Sequence, residues 1–239
     1  MKAAVKIIAV ISAVLLLFGL LVVALNAIFN RTGWLYKEYL DDLNNEVYKD
    51  YGISAEDASR VLSRMMYYST GRADTLDDVT IVEDGEEVPF FNESELSHMR
   101  DVRKLTKTVM WMGIVSLGIG IAIPITLKSF KKNDALRTFS KAFLIALGVL
   151  LVVIIALGVW IVVDFDSFWV MFHVVFLDLE SSTFDPIDSR MIRICPAELF
   201  ADFIRNFALY AGALVVIAAG LCTAYLAATR KKTAKQNVR

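Results

Sequence analysis

His98 and His173 are the only two histidines in the chain. They are its best-suited groups for moving a proton near neutral pH, because an unperturbed imidazole titrates at about 6.5. His98 lies in the run NESELSHMRD, with Glu95 three residues before it and Asp101 three residues after. On a helix that spacing lets a carboxylate approach the imidazole and fix its tautomer. His173 stands among Phe168, Trp169, Phe172 and Phe176. An Asp-Pro turn at Asp185 and Pro186 follows, then Asp188, Arg190 and Arg193. A guanidinium there could hold an ester carbonyl or a phosphate, or stabilise an oxyanion. Asp188, Arg190 and Arg193 are therefore candidate substrate-binding residues, His98 and His173 a candidate acid/base pair, and Glu95 and Asp101 candidate orienting carboxylates. The plainer alternative makes His98 an exposed helix residue and His173 an interfacial one.

Two histidines and a carboxylate could hold a metal, but the chain has no HExxH and no paired CxxC. It also lacks a Walker loop, a Rossmann glycine pattern and a GxSxG elbow. No metal and no cofactor are expected. Of the two cysteines, Cys195 belongs at a membrane surface and Cys222 deep in an apolar run, so they are too far apart to bond. Cys195 reads as a packing residue rather than a nucleophile.

The elements that must position these groups are set by hydropathy. Apolar residues make up 56% of the chain, gathered into runs at 7–28, 108–127, 142–163 and 203–228. Each has the roughly 20 residues that a helix needs to cross a bilayer. The fold class expected is a mainly α membrane protein: four transmembrane helices with a small α+β extracytoplasmic region. Gly113, Gly118, Gly120, Gly148, Gly158, Gly212 and Gly220 suit close helix packing in lipid, and Pro124 suits a kink.

Basic residues orient the spans. Lys2 and Lys6 precede the first. Lys128, Lys131, Lys132, Arg137 and Lys141 fill the basic loop at 128–141, and Arg230, Lys231, Lys232, Lys235 and Arg239 fill the tail at 229–239. All three groups fall on one side, which the positive-inside rule makes cytoplasmic. Both termini then face inward, and 29–107 and 164–202 face outward with both histidines. The first span is too long for a signal-peptide core of roughly 7–15 residues and reads as an uncleaved anchor. Formal charge is near balance, which gives no reason to expect a nucleic-acid partner.

In the first outer segment, Trp34, Tyr36 and Tyr39 suit the interface, and a helix is expected over 34–50, stopping at Gly52. A second begins at Ser54 with Asp57 as its capping partner and ends at Gly71. Its stripe of Ala58, Val61, Leu62, Met65, Met66, Tyr67 and Tyr68 reads as a packed face, with an acyl-chain surface as the alternative. Asp84-Gly85 between short apolar runs signals a hairpin with Pro89 at an edge, expected to pair with other strands or lie on the membrane. Asn92 and Glu95 form a capping box. The helix they open could run on into the second span, which would set His98 about 15 Å outside it at helical rise. Arg100, Arg103, Lys104 and Lys107 could anchor headgroups or snorkel. In the second outer segment, 168–178 could form a short interfacial helix.

With the FFNESELSHMRDV stretch at 90–102 and the FHVVF and FDPIDSRMIRICPAELF stretches within 172–200, the chain resembles the bacterial lipoprotein intramolecular transacylases, small four-span membrane proteins. The resemblance covers both motif regions, the span pattern and the length. The chain departs from the family pattern at Phe176-Leu177, at Ser182 and at Cys195, where the family has an aromatic pair, Trp and Phe. The resemblance implies a diacylated lipoprotein N-terminus as substrate and membrane lipids as surroundings. The implied reaction moves the sn-2 acyl chain of the diacylglyceryl-cysteine to the cysteine α-amino group, giving a lyso-form lipoprotein. It also implies His98 and His173 as the acid/base pair, at the outer face of the bacterial cytoplasmic membrane. The rival readings are another lipid-active esterase or headgroup transferase and a non-catalytic membrane partner or sensor. A transporter fits worst, because the spans hold almost no ionisable groups to line a path.

Overall fold

The computed structural model describes residues 2–31, 52–83, 85–129, 135–177, 184–185, 187–195 and 197–236. The helix expected over 34–50, the aromatics Trp34, Tyr36 and Tyr39, the middle of the basic loop, Ser182 and Pro186 lie outside the described residues. In chain order the elements are α1 (Lys2–Asn30), α2 (Ala55–Thr70), β1 (Thr80–Glu83), β2 (Glu86–Pro89), α3 (Glu93–Ser129), α4 (Ala135–Val163), α5 (Phe165–Phe176), α6 (Arg190–Arg193) and α7 (Ala197–Gln236). Four of these helices, α1, α3, α4 and α7, are long and apolar enough to cross a membrane. The apolar runs thus lie within longer helices, and α3 is unbroken from its cap beyond Pro124. The chain divides into two compact units.

The first unit gathers Met1–Leu25, Met110–Phe165 and Ala208–Arg239. Here α1 and α3 touch backbone to backbone. A Cβ added to Gly113 would lie 2.3 Å from Val22, one on Gly120 would lie 2.7 Å from the Leu16 nitrogen, and one on Gly19 would lie 2.7 Å from Leu117. The Ser12 hydroxyl donates to the Gly120 carbonyl across this seam at 2.9 Å. Small residues let helices approach in lipid, where van der Waals contact replaces the hydrophobic effect as the source of cohesion. Gly118, Gly148, Gly158, Gly212 and Gly220 face open space instead. The expectation that these glycines pack helices is therefore corrected: smallness permits an approach, and only the face turned to a neighbour uses it. A second seam joins Ala9, Ala13 and Leu17 of α1 to Phe139, Ala142 and Phe143 of α4 and Cys222 of α7. Ile145, Val152, Ile155, Val162 and Val216 are exposed, as lipid-facing side chains are.

The second unit comprises Asn26–Val109 and Asp166–Phe207. Ser54 caps α2, accepting from the Asp57 backbone N–H at 3.0 Å. Gly71 ends it in the left-handed region at φ 82°, its N–H bonding back to the Tyr68 carbonyl. That conformation favours glycine because no Cβ obstructs it. The α2 stripe packs inward: Ala58, Val61, Leu62, Met65, Met66 and Tyr68 are buried in one core with Phe90, Phe91, Met99, Met191 and Ile194. Arg103 is likewise committed to the protein. It lies over the Tyr68 ring at 4.4 Å and donates to the Ala73 and Asp74 carbonyls.

The hairpin pairs antiparallel from Thr80 opposite Pro89 to Glu83 opposite Glu86, with Gly85 at φ 86° in its turn. It gains no third strand among the described residues, so the first of the two expected arrangements, pairing with other strands, is not the one found. Two strands alone are marginal in water, so side chains hold this pair. Ile81 enters the core, Arg60 of α2 donates to the Thr80 carbonyl at 2.7 Å, and Arg190 of α6 bridges to Glu83 at 2.5 Å.

Candidate active site

α3 opens with a complete capping box. The Glu95 N–H donates to the Asn92 side-chain oxygen at 2.9 Å, and the Asn92 N–H donates back to Glu95 Oε2 at 2.8 Å. This fixes the first turn, and His98 follows one turn on. His173 comes from the last turn of α5 and is the only buried residue of that helix among those described. Its neighbours Val170, Met171, Val174, Val175 and Phe176 are exposed. An apolar helix that buries only its histidine is organised around it.

The two imidazoles meet. Their ring centroids are 6.1 Å apart and the planes lie 24° from parallel. Only 8% of His98 and 5% of His173 is exposed, so both are largely withdrawn from bulk water. Aromatic rings frame the pair. Phe184 meets His98 edge-on at 5.3 Å, Trp169 tilts over His173 at 4.5 Å, and Phe172 meets His173 edge-on at 5.6 Å. Phe200 in turn packs on Trp169 at 4.8 Å.

His173 Nδ1 lies 2.8 Å from the Trp169 carbonyl oxygen. A carbonyl only accepts, so Nδ1 must carry the proton and donate it. The neutral ring then keeps its lone pair on Nε2, where it can take a proton. A backbone carbonyl here does the orienting that a carboxylate does in many acid/base sites.

The carboxylate expected to do so is occupied elsewhere. Glu95 is 1% exposed. Its Oε1 accepts from the Ser189 hydroxyl at 2.6 Å and the Met191 N–H at 3.0 Å, while Oε2 serves the cap. Its hydrogen bonds tie α3 to α6, and none of these three goes to an imidazole. Among the described residues Asp101 makes no hydrogen bond to His98 either.

The arginines also make contacts within the protein. Arg190 pairs with Glu83 at 2.5 Å and donates to the Pro89 carbonyl at 3.4 Å, so it braces the hairpin. Arg193 donates to the Ile187 carbonyl, within its own loop. Asp188 is exposed, and its N–H closes the turn onto the Asp185 carbonyl. Cys195 is half-buried. Burial of its sulfur, helped by the negative charge of Glu95, pushes the thiol up to about 12. It stays protonated at neutral pH, which suits packing and not attack. Among the described residues no three His, Cys, Asp or Glu side chains are grouped to hold a metal ion.

Sequence reasoning missed Ser189, Phe184 and the Trp169 carbonyl. Ser189 had a signal: a serine just ahead of Arg190-Met-Ile-Arg suits a helix N-cap, and its oxygen does accept from the Ile192 N–H at 3.3 Å.

Residues 10–200 match the family model described as lipoprotein intramolecular transacylase Lit. No curated protein matches the chain. Solved structures of the membrane-integral lipoprotein intramolecular transacylase Lit from Bacillus cereus share the fold at 18% identity. One superposes with a TM-score of 0.75, covering 97% of this chain and 100% of that one. Another, carrying a histidine-to-arginine substitution, gives 0.72 over 97% and 96%. A third, with histidine replaced by alanine, gives 0.72 over 97% of each. The chain belongs to the lipoprotein intramolecular transacylase family, and is a multi-pass membrane acyltransferase of the bacterial type.

Proposed function

We propose that His98 and His173 are the acid/base pair of an intramolecular O-to-N acyl transfer at the outer face of the cytoplasmic membrane. The substrate is a diacylated lipoprotein whose N-terminal cysteine carries a diacylglyceryl thioether. The sn-2 acyl chain leaves its glycerol oxygen for the cysteine α-amino group of the same molecule. Donor and acceptor are already tethered, so holding amine and ester in reach supplies much of the rate.

The α-ammonium begins with three protons. One leaves to solvent to expose the lone pair. Nitrogen then attacks the ester carbonyl, the C–N bond forms, and His173 Nε2 takes the second proton. The tetrahedral intermediate collapses, the C–O bond breaks, and the glycerol oxygen receives a proton from an imidazole. The amide nitrogen keeps the third proton. Acid and base must serve atoms two bonds apart, which suits rings stacked 6.1 Å apart. That stacking, together with the Nδ1 bond to Trp169, is the observation that carries the reading.

The basic residues of the 128–141 loop and of the tail support cytoplasmic termini, which leaves the histidine segments outside with the lipidated cysteine. The test is mass spectrometry of lipoprotein N-terminal peptides from a bacterium whose lipoproteins otherwise keep a free amine. The chain should yield an N-acyl, S-monoacylglyceryl peptide of unchanged total mass, absent with His98→Asn or His173→Asn. A diacylated peptide with a free amine, in cells holding the folded protein, would refute the reading.

A further inference from the structure

We infer that Glu95 and Ser189 form a clamp that positions His98 for proton transfer. Glu95 acts through the loop it holds and never touches the reacting atoms. The inference rests on the reading of His98 as a catalytic group.

Glu95 is a fully buried carboxylate that accepts three hydrogen bonds. One comes from its own helix cap, and two come from residues 94 and 96 positions away, Ser189 and Met191. Ser189 is itself 2% exposed. Its hydroxyl donates to Glu95 and accepts from the Ile192 N–H, so its one proton is committed to the clamp. The loop ahead of it is closed on itself. Asp185 accepts from the Asp188 and Ser189 N–H groups through its carbonyl and from the Ile187 N–H through its side chain. Fixing Ser189 therefore also holds Asp185, Ile187 and Asp188. Phe184 is joined directly to Asp185, and its ring edge meets His98 at 5.3 Å. Glu95 thus acts on His98 by two routes: it caps the helix on which His98 stands, and it seats the loop whose aromatic packs against the imidazole.

A purely stabilising role explains the pattern poorly. Burying an ionised carboxylate gains little over a well-packed apolar side chain, because desolvation offsets the attraction. What three directed hydrogen bonds provide is position. A reacting group displaced by about 1 Å can cost on the order of a hundredfold in rate.

The test uses the full-length protein in lipid nanodiscs, with Ser189→Ala and Glu95→Gln as variants. Ser189→Ala removes one hydroxyl and no volume the fold needs. Two readouts are taken. The first is the rate of carbethoxylation of each histidine by diethylpyrocarbonate, followed by peptide mass spectrometry. It needs no turnover, so its outcome is separate from that of the transacylase assignment. The clamp predicts that His98 modification rises several-fold while His173 stays within about twofold. The second is steady-state transfer on a synthetic diacylated lipopeptide, per folded enzyme. The clamp predicts that kcat falls about tenfold or more while KM stays within about twofold. An unchanged His98 rate, a parallel rise at both histidines, or a loss confined to KM would overturn the inference.

Discussion

Replacing His173 by asparagine and by glutamine separates two jobs of one side chain. The asparagine amide nitrogen reaches roughly where Nδ1 stands, so it can keep the 2.8 Å bond to the Trp169 carbonyl. It has nothing at the Nε2 position. Glutamine places its amide near Nε2 but leaves the carbonyl without the side-chain donor. Neither amide takes a proton near neutral pH. Loss of a general acid/base costs about 10²–10⁴ in rate, or about 3–5 kcal/mol of barrier, and both variants should fall within that range. Their stabilities should differ. A protein hydrogen bond contributes about 1 kcal/mol net, and the better helix propensity of glutamine over asparagine returns a few tenths of that. His173→Gln should therefore unfold about 2 °C below His173→Asn, less than the 2–4 °C expected for 1 kcal/mol in a chain of about this size. Initial rates on a synthetic lipopeptide and thermal unfolding in one detergent measure both. Retention of more than about a tenth of the rate by either variant would refute Nε2 as the base. An asparagine variant no more stable than the glutamine one would refute the Nδ1 assignment.

Gly113→Ala should destabilise by about 1–3 kcal/mol, as overpacking does, because its Cβ would sit 2.3 Å from Val22. Gly118→Ala, facing open space, should not, and thermal unfolding compares the two. Arg190→Gln should keep activity within about threefold and lose at most about 1 kcal/mol, since its bridge to Glu83 is partly exposed. A hundredfold loss of transfer per folded enzyme would restore an oxyanion role. A thiol at about 12 leaves about one ten-thousandth of Cys195 as thiolate at pH 8. Alkylation by iodoacetamide should therefore run about a thousandfold or more slower than for a free cysteine, and peptide mass spectrometry reads the rate. Intact mass spectrometry under turnover should find no acylated enzyme.

The parts of this fold that were legible in sequence are those governed by neighbours in the chain. Asn92 and Glu95 announce a capping box, Asp84-Gly85 a turn, and the apolar stripe from Ala58 to Met66 a packed helix face. Each follows from spacing alone. The pairing of His98 with His173 was legible differently, through motif resemblance, since their segments lie far apart in the chain. What could not be read is where a versatile side chain spends its hydrogen bonds. Glu95 lies a helical turn from His98, yet it bonds to Ser189, 94 residues on. Arg190 lies in the motif loop, yet it pairs with Glu83, 107 residues back. Spacing within one helix or loop is blind to partners that arrive from another. The glycines make the same point: Gly113 and Gly118 have the same side chain, and only the first turns toward α1.

The nucleophiles near the motif loop bear on the chemistry. An acyl-enzyme route would need a group able to attack an ester. Ser189 donates its hydroxyl proton to Glu95 and accepts from the Ile192 N–H, so its oxygen is committed to holding the loop. Cys195 is kept as a thiol by burial and by that same Glu95 charge. Glu95 thus bears on both groups while it holds the loop, with burial the larger cause at Cys195. The substrate supplies the nucleophile instead, and an amine already tethered to its ester gains little from a covalent relay. What that amine needs is a proton acceptor in a dry, fixed place and a donor for the departing oxygen. In the proposed reaction a ring whose Nδ1 is tied to a backbone carbonyl, stacked on a second ring from another helix, would meet that need with two side chains.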